Sequence, residues 1–119
     1  MFKPVTMLRM QPNGRLYQEE LLPYEVETYL GPPPIQSIAI AGGLYLFCSW
    51  QSKRPDPQAP RITVLYSAAG RVRARIYGRT LMGRYTCNGY VSIRDTDVEI
   101  AKMFVQVLEG KSEDVKDVD

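Results

Sequence analysis

Between Ile35 and Trp50 the chain is apolar almost without a break, and the break that matters is Gly42-Gly43. The residues on either side alternate as strands do: Leu44, Leu46, Cys48 and Trp50 fall on one side, Tyr45 and Phe47 on the other. A strand that is apolar on both faces needs cover on both. Ile35 to Ala41 and Gly43 to Trp50 are therefore expected as a hairpin in the middle of a sheet, turned by the two glycines. With 119 residues there is room for one such centre and one core. The most apolar run, Ile38 to Trp50, is 13 residues long. A spanning helix needs roughly 17–25, so no membrane partner is expected.

The rest of the chain reads as strands punctuated by turns. Val5 to Met10 and Arg15 to Leu22 flank Gln11-Pro12-Asn13-Gly14, a first hairpin in which Asn-Gly tolerates the required backbone. Pro23 to Leu30 has proline in its first turn, glutamates near its positive end and Gly31 as its stop, which predicts a short helix before Pro32-Pro33-Pro34. Gln51 to Pro60 reads as an exposed loop. Arg61 to Ala69 fits strand spacing through Ile62, Val64 and Tyr66 but also a helical stripe, with strand favoured. Leu81 to Cys87 and Tyr90 to Ile93 flank a second Asn-Gly turn. Thr96-Asp97-Val98-Glu99 resembles a capping box, and Ile100, Ala101, Phe104, Val105 and Leu108 share one helical face before Gly110. The expected architecture is α+β. A mainly antiparallel sheet of about six or seven strands carries a C-terminal amphipathic helix on one face and a short helix after the first hairpin. Residues 1–110 form a single domain and residues 111–119 an acidic flexible tail.

The chain has no histidine, which removes the commonest general base and the commonest metal ligand. Two cysteines, Cys48 and Cys87, match no zinc spacing, so no metal, no cofactor and two free thiols are expected. Gly78 to Tyr85 has the glycine spacing of a P-loop, but Arg84 and Tyr85 stand where lysine and a hydroxyl residue are required, and turn chemistry explains both glycines. Asp95 and Asp97 sit at a helix start, where capping accounts for them. No nucleophile has an evident base, and no catalytic residue is assigned: the expectation is a protein that is not an enzyme. The N-terminus lacks the pattern of a secretory signal, which suggests a cytoplasmic protein.

Charge is the one asymmetry with functional content. Between Pro57 and Ile93 there is no acid, while Arg61, Arg71, Arg73, Arg75, Arg79 and Arg84 give that window +6; the net charge is +2, so the remainder carries −4. Guanidinium forks suit phosphates and carboxylates. Arg71, Arg73 and Arg75 are spaced to share one face of a strand at about 6.5–7 Å intervals, and Tyr66, Tyr77, Tyr85 and Tyr90 are interleaved with the basic residues. Three readings stay open. The first is a ligand-binding surface of Arg71, Arg73, Arg75, Arg79, Arg84, Tyr66, Tyr77 and Tyr85 for nucleic acid or a nucleotide signal, arginines on phosphates and rings on bases. The second is a solvated strand face paired with glutamates or guarding an edge. The third is a surface that meets an acidic protein, in a regulatory or inhibitory module directed at a host or its defences, with a homo-oligomer allowed.

Met10-Gln11-Pro12-Asn13-Gly14 after a short first strand, the acidic helix ending at Gly31, and Gly43-Leu44-Tyr45-Leu46-Phe47-Cys48 together resemble a family of small phage and plasmid proteins of unknown function. The likeness covers roughly residues 5 to 95 and carries over no functional residue. Pro32 to Pro34, the Gln51 to Pro60 loop and Arg71 to Arg75 have no counterpart in it. It implies an origin in a mobile element, where small single domains bind host protein, nucleic acid or a nucleotide signal.

Overall fold

Asn13 and Gly14 turn the chain as their chemistry requires. Gly14 takes φ +86°, its N–H donates to the Gln11 carbonyl, and the Asn13 side chain accepts from the Arg15 amide at 3.0 Å. The turn joins β1 (Val5–Met10) to β2 (Leu16–Leu21) with Met10 opposite Leu16. The computed structural model describes residues 3–109, so the expected tail at 111–119 lies outside the described residues. After β2 come α1 (Pro23–Leu30), β3 (Ile35–Ala41), β4 (Leu44–Ser49) and a single 3-10 turn over Trp50–Lys53. They are followed by β5 (Arg61–Tyr66), β6 (Val72–Ile76), β7 (Leu81–Thr86), β8 (Gly89–Val91), α2 (Asp97–Phe104) and β9 (Val105–Glu109).

The fold is α+β and mostly antiparallel, but its strands form two sheets where one was expected. The first runs β2-β1-β7-β4-β3, with β8 paired to the second half of β7; the other runs β6-β5-β9. Its main core lies between the sheets. Leu8, Leu44, Leu46, Cys48 and Met82 from the first meet Leu65, Ile76 and Val107 from the second, with Ala101 of α2. The Thr63 and Thr80 hydroxyls, both buried, bond each other at 3.1 Å and satisfy a polar pair that burial would otherwise penalise. A second cluster fills the opposite face of the first sheet, where Val26 and Leu30 of α1 cover Val5, Met7, Phe47 and Leu81. Gly83 lies on that face, where an added Cβ would displace the flexible end of Met7 and sit in contact with Phe47.

Three expectations change. The central hairpin is central only in β4, which is buried from Leu46 to Ser49 and lies between β7 and β3. β3 is the last strand of its sheet: it pairs with β4 alone, and the β4 side facing away from it is taken by β7. The C-terminal helix stops at Phe104, and Val105 and Leu108 belong to β9, paired with Leu65 and Ile62. β-Branched Val105 and Val107 alternate inward there, and pairing with β5 wins over helical continuation. The capping box is also absent. Thr96 makes no side-chain cap, and Asp97 accepts the Arg94 amide at 2.8 Å. The choice of strand for Arg61 onward holds through Tyr66.

Candidate functional site

A tight turn sets up the arginine strand. The Ser67 amide donates to the Arg71 carbonyl, Gly70 takes φ +80°, and the Arg71 amide donates to the Ser67 hydroxyl at 3.2 Å. From the other end, β6 pairs Ile76 with Thr63, Arg75 with Val64 and Ala74 with Leu65, then slips so that Val72 meets Tyr66. Arg73 is the extra residue of this bulge. The even row predicted for Arg71, Arg73 and Arg75 is thereby bent. Arg71 belongs to the turn, Arg73 reaches across to the Ile40 carbonyl of β3 at 3.4 Å, and Arg75 stands beside Val64 on the face turned away from the core. All three are exposed, and among the described residues no carboxylate lies within 4.0 Å of them.

Tyr77 follows β6, and Tyr66 ends the inner strand β5 opposite Val72; both are half-buried. The Tyr66 hydroxyl donates to Gln106 Oε1 of β9 at 2.8 Å, and the Tyr77 amide donates to the Ser52 carbonyl. The remaining predicted residues go elsewhere. Arg79 lies with its guanidinium carbon 5.0 Å above the ring of Tyr29 on α1. Arg84 is enclosed: its Nε and Nη2 each donate to Asp97 at 2.7 Å, and Nη2 also donates to the Gly42 carbonyl at 2.8 Å. Burial would push the fully buried Asp97 carboxyl up, but the Arg84 fork and the Arg94 amide outweigh it and hold that carboxyl below its ordinary range. The hydrogen bond to Asp97 raises Arg84 in turn. Arg84 is thus a staple between β7, the β3–β4 turn and the start of α2, and it offers no fork to a ligand.

Tyr85 belongs to an aromatic surface on the α1 side of the first sheet. Its ring packs 4.6 Å from Tyr45 and 5.7 Å from Phe47, while Tyr90 meets Phe47 edge-on at 5.3 Å. The Tyr85 hydroxyl shares a hydrogen bond of 3.2 Å with Ser37. A groove of about 270 Å³ opens between Ile35, Ser37, Phe47, Tyr85 and Tyr90. Burial and the charge of Glu27 both push the Tyr90 hydroxyl up. Of this set, sequence reasoning finds Tyr85 and Tyr90, interleaved with the arginines, for a different purpose. The alternation of Tyr45 and Phe47 was the available signal, and the cross-strand partners that complete the groove leave no local trace.

Comparison with protein-family models, with curated proteins and with solved structures finds no match to this chain. What the chain can do must be argued from its own surface.

Among the described residues no helix is long and apolar enough to cross a membrane. Both cysteines are free, Cys48 buried and Cys87 exposed. Burial pushes the Cys48 thiol up against a weaker opposing pull from Lys53, which disfavours the reactive thiolate. In native protein iodoacetamide is expected to label Cys87 and spare Cys48, with both labelled in denaturant. Native labelling of Cys48 at the Cys87 rate, read by mass spectrometry, would show that this core opens locally.

Proposed function

We infer that the chain is a non-enzymatic binding protein whose β6 edge engages the phosphates of single-stranded nucleic acid or of a nucleotide. One observation carries the reading. Arg71, Arg73 and Arg75 follow one another along an outer strand and the turn before it, exposed and without a carboxylate partner among the described residues, whereas Arg9 and Arg84 hold Glu19 and Asp97. Cations that only guarded an edge would serve as well singly; three forks along one turn and strand can take successive phosphates. Tyr66 and Tyr77 offer ring surface beside them for a base. The reading uses five of the eight residues first grouped, and leaves Arg79, Arg84 and Tyr85 to structural contacts.

The test is a salt titration with a single-stranded oligonucleotide. Three phosphate contacts predict that log K falls with log salt at a slope near ~−2.1. A slope near zero, or no binding at low salt, removes the reading. A second reading, a regulatory or inhibitory protein-binding module, is favoured by the aromatic groove around Tyr85, since tyrosine-rich patches anchor protein interfaces.

A further inference from the structure

Apart from the three-residue β8 beside β7, the first sheet ends on β2 and β3 and the second on β6 and β9, so four longer strands are outermost. Three of these carry charge: Glu19 and Glu20 on β2, Arg73 and Arg75 on β6, Glu109 on β9. β3 carries none. Ile-Gln-Ser-Ile-Ala-Ile-Ala runs its whole length without an ionised side chain or a proline. Soluble proteins blunt open edges with charge, proline or bulges, and an uncharged edge is a template for another strand. Here the register shift at Ile40, with Arg73 on the Ile40 carbonyl, closes off only the C-terminal end.

Register identifies the open backbone groups. The Trp50 amide donates to the Pro34 carbonyl at 3.1 Å, and these residues stand opposite each other where the β3–β4 pairing continues past Ile35 and Ser49. Bonded and non-bonded pairs alternate along an antiparallel ladder. Gln36 and Ile38 therefore turn their backbone groups to β4, and the N–H and C=O groups of Ile35, Ser37 and Ala39 point outward. Among the described residues no turn or loop bonds to them.

We propose that β3 pairs with β3 of a second copy of this chain, antiparallel about a two-fold axis at Ser37, joining two first sheets into one. The outward positions are self-complementary. Ser37 meets Ser37 of the other copy and Ile35 meets its Ala39, so every outward backbone donor and acceptor of the segment finds a backbone partner. Self-pairing of β2 or β6 would set like charges across the axis; β3 sets none. Beside the same edge lies the apolar surface such a pairing covers. Tyr85 is 42% exposed and bonded to Ser37, and Ile35 forms part of the groove rim where Ala39 of the second copy arrives.

Sedimentation velocity of the full chain across the micromolar range tests this. Wild-type protein is expected to form a concentration-dependent species of twice the 13.5 kDa chain mass. Ser37→Lys and Ser37→Glu are each expected to be monomeric, because the axis places like charges face to face. Their equimolar mixture is expected to recover the dimer. Thermal unfolding checks that each variant folds. If either does not, hydrogen exchange on wild-type protein decides: the Ser37 and Ala39 amides should lose protection on dilution while those of Gln36 and Ile38 keep it. A wild-type monomer throughout the range, or a dimer indifferent to both substitutions, overturns the proposal. So does protection of the Ser37 and Ala39 amides in the monomer, which would mean that another segment of the same chain occupies the edge.

Discussion

Replacing Asp97 by alanine is expected to cost about 3–5 kcal/mol, because it leaves the Arg84 guanidinium enclosed without its counter-ion. The Arg84 side chain is only 12% exposed and that of Asp97 fully buried, so water cannot take over the solvation that the pair provides. Asp97 also accepts the Arg94 amide, and Arg84 holds the Gly42 carbonyl, so one deletion releases contacts at α2, β7 and the β3–β4 turn together. Arg84→Met should cost a similar amount by stranding the carboxylate. The double variant Arg84→Met/Asp97→Leu should cost clearly less than the sum, since removing both charges abolishes the unpaired-ion penalty. Urea midpoints at constant slope read all three; additivity within about 0.5 kcal/mol would show that the ions do not depend on each other. The pH dependence has a definite sign. The Asp97 carboxyl is held below its ordinary value in the folded chain, so its contribution is complete above the unfolded value of about 3.9 and is lost as pH falls through the lower folded value. Asp97→Asn should flatten that acid limb while leaving stability lower at neutral pH.

This staple also shows where sequence reasoning stops. The acid-free window groups Arg84 with the ligand arginines, yet its partner lies thirteen residues on, across a hairpin and a turn. Charge counted along the chain cannot anticipate a contact made by topology. Local chemistry was legible: Asn13-Gly14, the proline-led α1 with its Gly31 stop, and the alternation of β4 all appear as the residues predict. The failures are tertiary. Val105 to Leu108 satisfies helical spacing and strand alternation equally, and only the open side of β5 decides between them. β3 and β4 look alike in hydropathy, but one is covered on both faces and the other borders solvent, which depends on where the chain went afterwards. In the candidate site the arginine strand was legible and its bulge was not, since nothing in Arg71 to Ile76 marks which residue will be left out of the pairing with β5.

Simultaneous Arg71→Gln, Arg73→Gln and Arg75→Gln substitution is expected to abolish salt-dependent binding of a single-stranded oligonucleotide while the fold survives. Three contacts with a slope near ~−2.1 amount to about 500-fold in affinity between 1 M and 50 mM salt, and the variant should lose that whole increment. The three side chains are exposed, and of their side-chain contacts the structure shows one hydrogen bond, Arg73 to the Ile40 carbonyl at 3.4 Å, so thermal stability should change little. The corresponding triple lysine variant separates charge from geometry. Lysine keeps the three cations and therefore the slope, but it lacks the planar fork, so affinity should fall at every salt concentration without a change in slope. Arg15→Gln, on the far hairpin, removes one charge from the chain and should leave both quantities as they are. If the triple glutamine variant kept the wild-type slope, the phosphates would be held elsewhere on the molecule. The exposed guanidinium groups of β6 would then be edge protection, the role that charge already plays on β2.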